Sequence, residues 1–147
     1  MLTTELPGRT AAFRIAEIRP QVSGLIQERL FTEGTDVKAG AILYRIDPAP
    51  FKAALDNAEA ALGKAEANLP SIRLRAQRYK GLLAEKAVSQ QEFDDADAAL
   101  KQADAEVRFA RAAVETARIN LNYTKVTAPI SGRSGRSNVT DGALVGA

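Results

Sequence analysis

The sequence contains no cysteine and no histidine, and its single methionine is Met1. Disulfides, thiol or imidazole nucleophiles, and zinc sites built on these ligands are therefore excluded. Aromatic residues make up only 5% of the chain, and the formal net charge is +2 with acids and bases interleaved. This pattern lacks the basic stripe of a nucleic-acid-binding protein. No apolar run approaches the roughly 20 residues that cross a bilayer, and residues 1–5 lack the pattern of a signal peptide.

Three carboxylates, Asp94, Asp95 and Asp97, cluster near the start of one predicted helix. Acidic residues at that position complement the positive end of the helix dipole, which accounts for them without a metal ion. No catalytic constellation accompanies them. We therefore predict that the chain is not an enzyme and that it holds no metal and no cofactor.

Two long stretches carry apolar or small residues at alternating steps of four and three, which is the heptad seam of a coiled coil. The seam of the first stretch consists of Phe51, Leu55, Ala58, Leu62, Ala65, Leu69, Ile72, Ala76, Tyr79 and Leu83. The seam of the second consists of Ser89, Phe93, Ala96, Leu100, Ala103, Val107, Ala110, Val114, Ala117 and Leu121. When the chain folds back near residue 86, every position of one seam faces one of the other. The sequence therefore predicts a long antiparallel α-helical hairpin.

Local signals place the ends of the two predicted helices. Asp47-Pro48 opens the first, because Asp caps free N–H groups and proline is tolerated at the first helical position. We expect this helix to run to about Ala84. Ser89 and Glu92 have the spacing of a capping box, which starts the second helix after a turn at about 84–88. The second helix is expected to end near Asn122.

Pro70 lies inside the first predicted helix and removes one backbone hydrogen bond, at a cost of about 3 kcal/mol in a regular interior. The seam keeps its phase across it, from Leu69 to Ile72, and Pro70 falls on the outer face. We expect a kink or local bulge there and no change of direction.

Charged residues along one flank of the seam favour the same pairing. From tip to base, the helices carry Lys80, Arg73, Glu66 and Glu59 against Asp97, Asp104, Arg111 and Arg118. The opposite flank is mostly small: Ala54, Ala61 and Asn68 against Ala99, Ala113 and Asn120. That smooth flank either packs against another hairpin or is a solvated alanine surface.

A repeated pattern flanks the hairpin. Ser-Gly is followed ten residues later by a second glycine that an acidic residue precedes, once as Gly24 with Gly34 and once as Gly132 with Gly142. We predict an α+β chain with a hairpin (49–122) inserted between two halves (19–48 and 123–147) of one pseudo-symmetric β domain. Residues 1–18 are expected to be an extended segment with strands within 3–18. Two unrelated turn-rich segments are the alternative interpretation.

Several stretches together carry a resemblance to a known family. They are Thr3-Thr4-Glu5-Leu6-Pro7-Gly8-Arg9-Thr10, Arg19-Pro20-Gln21-Val22-Ser23-Gly24, Tyr44-Arg45-Ile46-Asp47-Pro48, residues 117–126 and Pro129-Ile130-Ser131-Gly132-Arg133. The two halves resemble those of a biotinyl/lipoyl domain. With the hairpin, the chain resembles the periplasmic adaptor (membrane fusion) proteins of RND-type tripartite multidrug efflux pumps, of the AcrA/MexA type. The match implies only part of such a protein, without the lipidated cysteine, most of the β-barrel domain and the membrane-proximal domain; the final strand of the second lipoyl half is also expected to be missing.

The resemblance implies a docking role for the hairpin tip. Members of the family share Arg-x3-Leu-x6-Ser there, which corresponds to Arg78, Leu82 and Ser89 in this chain. These residues would dock onto a TolC-like outer-membrane channel. From the residues alone, Ser89 is explained as a helix cap and Arg78 has Asp94 or Asp95 as candidate partners. Leu82 is left on the surface, because Leu83 fills the seam.

The resemblance further implies an RND transporter in the inner membrane as partner, bound through domains outside this chain. It implies self-association into a ring, of six copies, and a location in the periplasm of a Gram-negative bacterium, with an inner-membrane anchor outside this chain. An adaptor of a type I protein secretion system is an alternative, since its hairpins are similar.

A lipoyl carrier domain is the rival from another class. Glu85-Lys86-Ala87 imitates the lipoylated Asp-Lys-Ala motif, but it falls at the predicted hairpin tip. Where a carrier has its lysine turn, this chain has Asp47-Pro48 and enters the hairpin. The biotin form is excluded because it needs methionines beside the lysine. We therefore interpret the β domain as a carrier scaffold without its cofactor.

Overall fold

The computed structural model describes residues 8–147, which form a two-helix hairpin between two groups of short strands. The elements in chain order are β1 (Gly24–Arg29), β2 (Asp36–Val37), β3 (Ile42–Ile46), α1 (Ala49–Ala84), α2 (Gln90–Tyr123), β4 (Lys125–Thr127), β5 (Gly132–Arg133) and β6 (Leu144–Val145). This is the α+β class that the sequence predicts, with an antiparallel hairpin between strand segments. The Asp47 carboxylate accepts the Ala49 N–H at 3.1 Å, as predicted, but α1 begins at Ala49, so Pro48 is the N-cap residue and not the first helical residue.

The heptad seam forms the interior of the hairpin. In α1 every predicted seam position is buried or half-buried, and every other residue of the helix is exposed. In α2 the predicted positions from Phe93 onward are likewise buried or half-buried, whereas Ser89 at the N-cap is exposed. Ala65, Val107 and Ala110 form the centre of this core, and Leu62 and Leu69 pack against it. Alanines at the seam let the two backbones approach closely, so the core is thin.

Three of the four predicted cross-helix ion pairs are formed. Arg73 contacts Asp104 at 3.2 Å, and Arg111 contacts Glu66 at 3.0 Å. Arg118 and Glu59 make the third pair at 3.8 Å. These pairs are exposed, so each adds less than about 1 kcal/mol, but together they favour one register over others.

The fourth predicted pair, Lys80 with Asp97, is not formed. Asp97 instead pairs with Lys101 at 2.7 Å, one turn along the same helix. The hydrogen bond that Lys101 donates to the Asp97 carboxylate, and then the negative charge of that carboxylate, raise the pKa of Lys101 above its usual value. A partner four residues away on a helix is already within reach, so it competes well with a residue on the other helix.

Pro70 does not interrupt α1, which continues through it to Ala84. Its ring is exposed on the outer face, as the phase of the seam predicts. The Ser71 hydroxyl donates a hydrogen bond to the Asn68 carbonyl at 2.9 Å, so a side chain satisfies one backbone acceptor beside the proline. The kink expected at this position stays a prediction.

The strands form two small antiparallel sheets at the base of the hairpin. Four strands are arranged in the order β4-β3-β1-β6, and β2 pairs with β5. Ile26 of β1 and Leu43 and Ile46 of β3 are buried, and Ile46 is fully inaccessible to solvent. Ile46 lies at the end of β3, only three residues before α1, so the same core that closes the sheet also fixes where the hairpin leaves it.

The backbone hydrogen bonds follow the sequence repeat. Gly34 donates to the Ser134 carbonyl at 3.0 Å, and Gly142 donates to the Ile26 carbonyl at 2.8 Å. The same sequence offset separates Gly34 from Gly142 and Ile26 from Ser134. The two hydrogen bonds are therefore equivalent interactions in the two halves of the repeat. The β2–β5 ladder corresponds in the same way to the β6–β1 ladder. Both glycines have positive φ, +76° and +80°, which a glycine adopts without strain. The predicted pseudo-symmetry is therefore supported by the pairing itself.

The strands expected within residues 8–18 are not formed, and that expectation was wrong for the described part of the segment. Phe13 and Ile15 are almost fully exposed, at 95% and 86%. Within residues 8–147 no neighbouring segment offers a backbone hydrogen-bond ladder to this stretch, and an extended segment becomes a strand only with such a partner. The part of the prediction that covers residues 3–7 lies outside the described residues.

Candidate docking site at the hairpin tip

A short turn held by backbone hydrogen bonds closes the hairpin. The N–H groups of Lys86 and Ala87 donate to the carbonyls of Leu83 and Leu82 at 3.0 and 2.8 Å. Lys86 has φ +58°, the left-handed conformation that usually ends a helix with glycine. No glycine marks this position in the sequence, so sequence reasoning did not identify Lys86 as the residue that reverses the chain.

Ser89 starts α2 with the predicted capping box. Its hydroxyl accepts the Glu92 N–H at 3.3 Å, and its own N–H donates to Glu92 Oε2 at 2.8 Å. The Ser89 hydroxyl also donates to the same carboxylate at 2.9 Å. The backbone N–H of Ser89, and then its hydroxyl, hold the pKa of the Glu92 carboxyl below its ordinary value of 4.5.

This box gives the tip a pH dependence that can be tested. Ser89→Ala is expected to lower the free energy of unfolding by about 1 kcal/mol through loss of the cap. The pKa of Glu92 is lower in the folded chain than in the unfolded one. Its contribution is therefore present above about pH 4.5 and is lost as the pH falls through the lowered pKa.

Glu92→Gln is the matched control, because glutamine accepts the same hydrogen bonds without titrating. The protection factors of the amides at the start of α2, which correct the exchange rates measured by NMR for their intrinsic pH dependence, should fall from neutral to acid pH in the parent chain and stay flatter in Glu92→Gln. Equal pH profiles would contradict the role given to the Glu92 carboxylate.

Leu82 and Arg78 are displayed on the last two turns of α1. Leu82 is 38% exposed beside the turn, as expected for a leucine next to the seam residue Leu83. Arg78 lies one helical turn before Leu82, so the two side chains are neighbours. Arg78 is exposed and makes no ion pair within residues 8–147.

Neither of the two expected partners of Arg78 pairs with it. Asp94 accepts a hydrogen bond from Gln90 at 2.9 Å, and no ion pair joins Arg78 to Asp94 or Asp95 in the described chain. The tip thus presents an apolar side chain beside a guanidinium that no described acidic side chain pairs with. Such a pair suits a partner surface that combines an apolar contact with an acceptor group.

The described residues 8–147 offer neither an acidic cluster for a metal ion nor a helix that could cross a bilayer. Among residues 8–147 no three acidic side chains come close enough to hold a metal ion. None of the helices in that range is both long and apolar enough to cross a bilayer. Lys86 is the lysine of the lipoyl-like Glu85-Lys86-Ala87 sequence. It lies in the turn between α1 and α2, at the end of the hairpin that is far from the strands.

Comparison with known proteins agrees with this architecture. A family model described as "RND MFP, barrel-sandwich hybrid domain" matches residues 14–147. The chain is 59% identical over 144 residues to the multidrug efflux pump subunit AcrA of Escherichia coli (strain K12). It is 60% identical over 144 residues to the multidrug resistance protein MexA of Pseudomonas aeruginosa. Both alignments cover 98% of this chain but 36% and 34% of those proteins, so the chain spans about a third of the length of these curated relatives.

Solved structures show the same fold. A MacA–MexA chimeric protein that contains the MexA α-hairpin is 41% identical, with a TM-score of 0.51, over 92% of this chain and 44% of that one. MacA from Actinobacillus actinomycetemcomitans is 29% identical, with a TM-score of 0.57, over 90% of this chain and 45% of that one. The family model covers nearly the whole chain, and the hairpin on its small antiparallel base is shared with these structures. The chain therefore belongs to the RND membrane fusion protein family, of which it forms the barrel-sandwich hybrid domain.

Proposed function

We propose that the chain is the central part of a periplasmic adaptor in a tripartite multidrug efflux pump. In this role the hairpin reaches from an inner-membrane RND transporter towards a TolC-like outer-membrane channel and docks on it with its tip. Relatives named as a multidrug efflux pump subunit and a multidrug export protein support this assignment. The transporter would be bound by parts of the protein outside residues 1–147. The protein would work in the periplasm of a Gram-negative bacterium, anchored to the inner membrane.

The observation that carries the proposal is the exposed Leu82 beside Arg78 at a closed and capped tip. A helix of 36 residues is about 54 Å long, so the seam holds the tip far from the strands. The arm has no catalytic group at its end, and its contribution is mechanical. It presents one apolar and one cationic side chain at a fixed distance from the base.

The base acts in this proposal as a lipoyl-like scaffold without a cofactor. The support is the repeated pairing of its two halves and the entry into α1 at Asp47-Pro48, where a carrier domain would turn. Copies of the base and hairpin pack side by side, in a ring of six, so that the hairpins line a passage to the channel.

Leu82→Asp in the full-length protein tests the docking role. A carboxylate at this position would have to be desolvated against the channel, so we expect loss of channel capture and of drug resistance in cells. Leu82 is exposed at the surface, so the hairpin should keep its helical circular dichroism.

Ile119→Asp is the matched control. Ile119 is exposed to a similar degree, 43% against 38% for Leu82, and lies at the base end of α2. Drug resistance should persist in this variant. Normal resistance in cells that express Leu82→Asp at the parent level would disprove docking through the tip.

A further inference from the structure

Thr124 connects the end of α2 to the start of β4, and in the described residues 8–147 it is the one polar residue that is buried, at 1% exposure. Ile46, the last residue of β3, and Thr124 are the two largest side chains that are fully buried in this range. The Ile46 N–H donates to the Thr124 carbonyl at 2.8 Å. These two residues therefore meet where both helices leave the base, since α1 begins three residues after Ile46.

Thr124 ends α2 without the usual stop signal of a helix. The last carbonyls of a helix have no partner within it, and a glycine in the left-handed conformation commonly satisfies them. Thr124 instead keeps helical angles, φ −65° and ψ −19°, and β4 starts at the next residue. Its hydroxyl donates to the Leu121 carbonyl at 2.7 Å, whereas its N–H lies 3.3 Å from the same carbonyl. The hydroxyl is thus the closer of the two donors that hold the last turn of α2.

We propose that Thr124 is a positioning residue whose hydroxyl sets the direction in which the hairpin leaves the base. The Thr124 carbonyl ties this residue to β3 through Ile46, and the hydroxyl ties it to α2 through Leu121. Because Thr124 is buried, water cannot replace the hydroxyl when it is removed, and the Leu121 carbonyl loses its closest donor. The joint follows from these contacts, and its importance for docking rests on the proposed function.

A small displacement at this joint is magnified at the tip. The start of α1 is held separately, because the Asp47 N–H donates to the Leu25 carbonyl at 2.8 Å. Thr124→Val puts a methyl group in place of the hydroxyl, and a carbon needs about 3.3 Å from a carbonyl oxygen, about 0.6 Å more than the hydroxyl has. With α1 held and the helix axes about 8 Å apart, such a shift tilts the arm by about 4°. Over an arm of about 54 Å the tip moves by about 4 Å, more than the length of a hydrogen bond.

Residual dipolar couplings of the backbone N–H groups test this joint, because in a weakly aligned NMR sample they report the angle between the arm and the base. Thr124→Val is expected to change this angle by about 4° or more. The couplings of the arm alone should still fit one rigid body, which distinguishes a redirected arm from an unwound one. Thr124→Ser keeps the hydroxyl and loses only the methyl group, so it should keep the parent angle.

Thr116→Val is the matched control. The Thr116 hydroxyl also donates to a backbone carbonyl, that of Ala112 at 3.0 Å, but Thr116 is exposed on α2 away from the base. Loss of this bond can lower stability but should leave the angle unchanged. Thr124→Ala removes the hydroxyl without adding a methyl group in its place, and it carries the same comparison with Thr124→Ser if Thr124→Val does not fold.

The parent angle in both Thr124→Val and Thr124→Ala, or equal changes in Thr124→Val and in either Thr124→Ser or Thr116→Val, would overturn the proposal. In the full-length protein, Thr124→Val should weaken channel capture, whereas Thr116→Val should not. The parent angle in Thr124→Val and Thr124→Ala, with drug resistance abolished by Leu82→Asp, would reject the joint and leave tip docking intact. A changed angle together with normal resistance in Leu82→Asp would support the joint and reject tip docking.

Discussion

Val107→Asp is expected to open the middle of the hairpin and to lower the free energy of unfolding by about 3–5 kcal/mol. Val107 is 7% exposed and packs with Ala65 and Ala110 at the centre of the seam. An aspartate there loses the apolar contacts and places a carboxylate where no described cation lies within the core. The core is thin, so it has little other apolar area to compensate. Urea denaturation followed by far-ultraviolet circular dichroism measures the change.

Two companion variants separate charge, shape and helix propensity. Val107→Asn has the same shape as aspartate and stays neutral, so its destabilisation should be smaller and independent of pH. Burial raises the pKa of the introduced carboxyl, so the folded chain binds more protons than the unfolded one. The Val107→Asp variant should therefore become less destabilised as the pH falls towards 4 and below. Ala105→Asp, at an exposed position two residues away, should cost about 1 kcal/mol or less.

A Val107→Asp variant as stable as Ala105→Asp would contradict the assignment of the seam. Val107→Asp should also affect docking, but for a different reason than Leu82→Asp. The tip keeps its own residues in this variant, so loss of channel capture would come from loss of the arm that displays them, whereas Leu82→Asp removes the contact and leaves the arm.

The hairpin could be predicted from the sequence because its determinants are local. The steps of three and four identify the seam, and Ser89 with Glu92 mark the start of α2. The exposure of Leu82 follows from Leu83 filling the seam. The partner of Asp97 was predicted wrongly because Lys101, on the same helix, carries the same charge as Lys80 across the hairpin and competes with it for the carboxylate.

The β base depends on contacts that sequence patterns do not encode. The repeat predicts two similar halves, but the pairing of β1 with β6 joins segments separated by the whole hairpin. The strands expected near Phe13 were wrong because apolar residues in an extended stretch do not reveal whether a partner strand exists.

Gly24→Ala is expected to lower the stability whereas Gly132→Ala is not, although the two glycines are equivalent in the repeat. A Cβ added at Gly24 would lie 2.6 Å from Ile46 Cγ2, whereas one added at Gly132 meets no atom within 4 Å. Ile46 is fully buried and branched at Cβ, so its methyl group cannot rotate aside without strain. Gly24→Ala should therefore cost about 1–3 kcal/mol. Gly132→Ala should be neutral or stabilising by up to about 1 kcal/mol, because alanine restricts the unfolded chain.

Thermal unfolding of the two variants beside the parent chain measures this contrast. Neither glycine has a positive φ, so backbone strain does not contribute to the difference. Ile46→Leu removes the branch at Cβ and should recover part of the loss in Gly24→Ala, which a double-mutant cycle reports as a coupling energy between residues 24 and 46. Similar losses in both single variants, or no coupling in the cycle, would show that Ile46 does not require a glycine at residue 24. This difference between the two glycines matters for the hairpin. Gly24 packs against Ile46, the last residue of β3, and α1 begins three residues after Ile46. The close approach at Gly24 therefore holds the base at the point where the hairpin leaves it.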